Sequence, residues 1–188
     1  NTILFDEGKV LQLNPTQVPA DATVIDGNNK VLLPGLIDAH GHLLGLGGNL
    51  MEVDLRESSS MQQAAQWVSD YAMMHADQEW IKGRGWNQEL WSDRSFPTAA
   101  VLDAKLKNKP VWLTRVDGHA AWVNSKALQM AGIDDNTPDP AGGQILRDAD
   151  GKATGVLIDH AMDLVSAIMP KDSASLYAAQ LNAAGEHL

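Results

Sequence analysis

Leu32-Leu33-Pro34-Gly35-Leu36-Ile37-Asp38-Ala39-His40-Gly41-His42-Leu43 is the stretch on which the fold of this chain turns. It starts as an apolar run, the pattern of a strand buried on both faces, and becomes polar at its end. Side chains alternate along a strand, so Asp38, His40 and His42 fall on one face. Two imidazoles two residues apart can hold the same metal ion, each through one ring nitrogen at about 2.0–2.1 Å. Asp38 is then expected to orient one of them, since a metal-bound histidine usually donates its other N–H to an acceptor. A His-x-His pair in an ordinary loop is a pair of solvated side chains. The buried-strand lead-in, the Pro-Gly entry and the upstream Asp favour a metal here.

Further motifs follow in order: Gly83-Arg84-Gly85-Trp86-Asn87, Phe96-Pro97-Thr98, Val116-Asp117-Gly118-His119 with Trp122-Val123-Asn124-Ser125-Lys126-Ala127-Leu128, and Thr154-Gly155-Val156-Leu157. The set resembles the amidohydrolase superfamily, and within it the family 3 branch related to N-substituted formamide deformylase. The resemblance implies an α/β fold: a TIM-like metal-dependent hydrolase barrel, part of an N-terminal β-sandwich and an inserted α+β segment. It implies residues 1–33 in the sandwich, 34–56 as the first barrel strand with its loop, and 57–188 as the insertion. A complete (β/α)₈ barrel takes about 250 residues, so these 188 residues are expected to be an incomplete barrel, the N-terminal portion of a longer enzyme.

The activity implied is hydrolysis of carbon–nitrogen bonds other than peptide bonds, in amides or N-substituted formamides. It would use one or two divalent ions, zinc first, held in part by His40 and His42. The fragment itself is expected to be inactive, because the remaining ligands and the general base come from later strands in the family. A cyclic amidine deaminase and a non-catalytic binding module are the alternatives. The resemblance implies that Asp117 and His119 lie by the substrate pocket. It also implies a metal-proximal carboxylate at Asp159, although the family usually has Glu there and the shorter side chain suits a helix N-terminus.

Composition narrows the partners. The net charge is −10 without a basic run, which argues against a nucleic-acid surface. There is no Cys, so thiolate ligands and disulfides are excluded. No apolar run reaches the roughly 18 residues of a membrane span. A small-molecule substrate is expected, with a homo-oligomer or pairing through exposed strand edges as the protein partner. A cytoplasmic site is favoured, and a periplasmic one follows if a signal peptide has been removed.

Local patterns predict a hairpin over residues 2–13, a strand at 22–26, and a glycine-rich loop over 43–50. A helix from Met61 to His75 is capped by Ser59 or Ser60. Strands follow at 79–86 and 110–116, and helices at 120–131, 158–169 and from Ser173 onward. A hairpin turns at Asp148-Ala149-Asp150-Gly151. Trp86 and Trp91 either fill a core or wall a substrate pocket.

Overall fold

A computed structural model of the chain describes residues 1–171 and 173–188. It divides into two compact units, Asn1–Gly41 and His42–Leu188. In the first, β1 (Ile3–Asp6) and β2 (Lys9–Leu13) pair antiparallel. Glu7 and Gly8 join them at φ 45° and 75°, the positive pair that a tight two-residue hairpin needs.

Residues 22–42 contain no strand, and Leu36 and Ile37 are 93% and 92% exposed. The strands expected at 22–26 and 32–43 are thus not formed among these residues alone. A strand is held by ladder bonds along its edges and burial of its faces. Within its own unit this run finds neither.

The second unit is a six-stranded mixed sheet with helices on both faces. Its strands are β3 (Val53–Asp54), β4 (Ile81–Trp86), β5 (Val111–Arg115), β6 (Ala120–Val123), β7 (Gly143–Arg147) and β8 (Ala153–Asp159), in spatial order β3-β4-β5-β6-β8-β7. The first three are parallel, and β6, β8 and β7 continue antiparallel. The parallel pairs are connected through α2 (Met61–Met74) and α3 (Ala99–Asp103), as parallel strands require. The fold is mixed α/β.

Strand alternation sorts the core into two layers. Ile81, Val111, Leu113, Trp122 and Val156 pack on one side with Ala64, Ala65 and Val68 of α2. Ala121, Val123, Ile145 and Leu157 pack on the other with Ala127 and Leu128 of α4 (Ser125–Met130) and Val165 of α5 (Asp163–Ser166). Each large side chain so buried stabilises by about 1.5–3 kcal/mol. Helix α2 has the predicted cap, with Ser60 Oγ accepting the Gln63 N–H at 3.1 Å. Met73 and Met74, at its C-terminal end, are exposed.

Three further expectations change. The glycine-rich stretch is helix α1 (Leu43–Leu50), packed on α6 (Ala174–His187). A Cβ on Gly47 would lie 1.8 Å from the Gln180 carbonyl oxygen, so glycine is what lets the two backbones approach. The helix expected at 120–131 is strand β6 followed by α4, because Ala120–Val123 pairs with strands on both sides. The helix expected from Ile158 begins only after Asp159, as a 3₁₀ turn at His160–Met162 running into α5.

Candidate functional site

The β5–β6 turn and the end of β8 meet at one edge of an open cleft. The turn is Val116-Asp117-Gly118-His119, closed by a Gly118 N–H to Arg115 carbonyl bond of 3.0 Å. The antiparallel register pairs Ala120 with Ile158, which sets His119 opposite Asp159. The Asp159 N–H donates to the His119 carbonyl at 3.0 Å. The Asp159 carboxylate accepts from His119 Nδ1 at 2.9 Å. A carboxylate only accepts, so Nδ1 carries the proton and Nε2 is the ring's other working atom.

Asp117 braces the turn from below. Its Oδ1 accepts the His119 backbone N–H at 3.0 Å, and its Oδ2 is ion-paired with Arg115. Arg115 Nε donates to the side-chain oxygen of buried Gln88 at 2.9 Å. Burial works to raise the Asp117 pKa, but the His119 amide and the Arg115 guanidinium outweigh it and hold the carboxyl below its ordinary value. A depressed folded-state pKa contributes stability above the unfolded value, about 3.9, that is lost as pH falls through the folded one. Asp117→Asn is therefore expected to lower the urea midpoint at about pH 6, with the gap to wild type closing as pH falls below about 4. A gap independent of pH would contradict this.

The cleft has a volume of about 530 Å³ and is lined by Trp112, His119, Asp159, His160, Met162 and Asp163, among others. That volume is in the range of small-molecule sites. His160 Nδ1 and Asp163 Oδ2 lie 3.2 Å apart. The sequence reading passed over this pair, although its i, i+3 spacing was visible. The metal-proximal expectation for Asp159 came with a helix-start reading. Asp159 instead ends β8, and its carboxylate is engaged by His119.

Trp86 and Trp91 lie in the core, not along the cleft. Both are essentially fully buried. Their indole N–H groups donate to the Leu113 and Ser58 carbonyls at 2.8 and 3.0 Å. Their rings are stacked on each other, and each meets Trp122 edge-on. Of the two roles open to them, the side chains take the packing one.

His40 closes the first unit with Gly41, and His42 occupies the position before α1 in the second. Asp38 Oδ1 accepts the His40 backbone N–H at 2.9 Å. Among the described residues no three His, Asp or Glu side chains converge as a metal site. A catalytic ion needs about three protein ligands, so the described donors do not by themselves make a complete centre.

Residues 23–188 match a sequence model described as the amidohydrolase family. The chain belongs to the amidohydrolase family. It is 42% identical to the Arabidopsis thaliana protein LONG AFTER FAR-RED 3 over 137 residues, 73% of this chain and 23% of that one. It is 39% identical to the putative amidohydrolase YtcJ of Bacillus subtilis over 76% of this chain and 27% of that one. It is 31% identical to the N-substituted formamide deformylase of Arthrobacter pascens over 77% of this chain and 27% of that one. The fold is similar to an uncharacterised metal-dependent hydrolase from Pyrococcus furiosus, with a TM-score of 0.57 and 28% identity over 82% of this chain and 29% of that one. This amidohydrolase chain thus spans about a quarter of the length of these curated relatives.

Proposed function

We propose that this chain is part of a metal-dependent hydrolase of carbon–nitrogen bonds, acting on amides such as N-substituted formamides. The observation that carries the reading is the family match, which runs through Pro34–His42 and covers the cleft residues as well. The Arthrobacter relative's name supplies the substrate class, and the Pyrococcus hydrolase supplies the metal. In this reading His40 and His42 are two ligands of a divalent ion, zinc first, and the other ligands come from residues outside these 188. When bound, such an ion lowers the pKa of a coordinated water to about 7. The residues from Leu32 to His42 become, in the longer protein, a strand of a larger, barrel-like sheet. Their exposed apolar side chains are consistent with that, since a strand of this composition is stable only when both faces are covered.

Within the chain, Asp117 and His119 are proposed to meet the substrate. Trp112 and Met162 would offer apolar surface to a substituent on its nitrogen. The test is metal content and formamide hydrolysis of the full-length protein. Wild type is expected to hold about one or two zinc ions per chain. His40→Ala and His42→Ala are each expected to lower metal occupancy and to cut hydrolysis by about 100-fold or more. Unchanged metal content in both variants would refute the ligand assignment.

A further inference from the structure

We propose that Asp159 is a positioning residue: it fixes the His119 ring so that Nε2 becomes, in the cleft, the acceptor for an N–H group of the substrate. Three observations converge. First, Asp159 holds residue 119 at two points, through its own amide on the His119 carbonyl at 3.0 Å and its carboxylate on Nδ1 at 2.9 Å. With Nδ1 donating, a neutral ring has its lone pair on Nε2. Among the described residues Nε2 has no protein partner, and the ring lines the cleft.

Second, Asp159 has φ 48° and ψ −123°, a backbone conformation in which glycine is at ease and an L side chain is strained. A carboxylate stands where the chain geometry asks for glycine. Strain of this kind persists where the surroundings over-determine it, and it gathers at functional positions. The neighbouring His160–Asp163 pair is exposed as the His119–Asp159 pair is, but it lacks the backbone signature: it is an i, i+3 contact on one helical turn, the local pairing that helix geometry supplies by itself.

Third, the cleft offers apolar surface at Trp112 and Met162 beside the polar edge at His119. A secondary amide matches that arrangement, with its N–H on Nε2 and its nitrogen substituent against the apolar wall. This choice of ligand rests on the function proposed above; the positioning role of Asp159 does not.

The test is the tautomer of His119, read from long-range ¹H–¹⁵N correlation spectra of the full-length protein at about pH 8, above the ordinary imidazole range. The His119 signals are assigned by their loss in His119→Gln. Wild type is expected to show the Nδ1–H form. Asp159→Ala and Asp159→Gly are expected to shift His119 to the Nε2–H form. Asp159→Gly is expected to unfold at the same or a higher urea concentration than wild type, because it relieves the positive φ. It decides the matter even where Asp159→Ala fails to fold. A wild-type Nε2–H form, an unchanged tautomer in Asp159→Gly, or a less stable Asp159→Gly would each overturn the proposal. Titration with N-butylformamide separates the two readings. Binding at His119 that weakens about tenfold in Asp159→Gly supports the amide acceptor. Binding unaffected by that variant overturns the acceptor role. No binding by wild type overturns the assignment of amides to this cleft, while the tautomer still decides the role of Asp159.

Discussion

Asn124→Ala is expected to destabilise the chain by about 4 kcal/mol, a large part of the 5–15 kcal/mol that holds a typical domain together. Asn124 is fully buried between β6 and α4. Its side-chain oxygen accepts the Val111 and Ala127 N–H groups, both at 3.1 Å. Its nitrogen donates to the Leu106 and Lys109 carbonyls at 2.9 and 2.8 Å. One amide thus caps α4, closes the loop leading into β5 and receives the first N–H of that strand. Alanine leaves two N–H groups and two carbonyls without that partner, each costing about 1–3 kcal/mol where water cannot reach it. Asn124→Asp keeps both acceptor bonds but turns a second oxygen toward the two carbonyls, so it is expected to fail nearly as badly. Asn124→Ser keeps the cap alone and should fall between. Urea denaturation followed by tryptophan fluorescence measures all three. A loss under about 1 kcal/mol for Asn124→Ala would mean that the four bonds are not made together.

Gly155→Ala is expected to cost about 3 kcal/mol or more, from two separate penalties. Gly155 has φ 96°, where an L side chain is strained. A Cβ there would also sit 2.6 Å from the Val123 carbonyl oxygen and 2.7 Å from the Ala99 Cβ. The first obstacle belongs to the backbone of β6, at the middle of the sheet, and the second to the start of α3. Neither can rotate out of the way as a long side chain could. Gly151 is the control. It has φ 81° in the β7–β8 turn but nothing within 4 Å of a new Cβ. Gly151→Ala should therefore show only the backbone penalty, about 1 kcal/mol. Equal losses at the two positions would remove the steric half of the argument.

Local features were legible in the sequence where short-range physics fixes them. The Glu7-Gly8 hairpin, the Ser60 cap of α2 and the Asp148–Gly151 turn each depend on a few neighbouring residues. The segments that changed depend on distant ones. Ala120-Ala121-Trp122-Val123 reads as the start of a helix because it runs without a break into a helical pattern. It is a strand because β5 and β8 flank it, and β8 begins only at Ala153, far along the chain. Leu43–Leu50, with its three glycines, reads as a loop until α6 is there to receive it.

The site followed the same rule. Asp117, His119 and Asp159 could each be named from motif and resemblance. That His119 and Asp159 are bonded neighbours could not, because both flanking segments read as helices and the β6–β8 register was hidden. For Trp86 and Trp91 the sequence leaves two roles open, core or pocket wall. What decides between them is tertiary: the indole N–H groups find backbone carbonyls inside the core, which lets so large an amphipathic ring be buried at little polar cost.

The close seat of Gly47 against Gln180 carries a consequence for architecture. It joins α1, which opens the second unit, to α6, so two helices far apart in sequence are held at a contact that only glycine allows. Any side chain at position 47 would have to push the Gln180 backbone aside, so the missing Cβ sets how near the two helical axes can come.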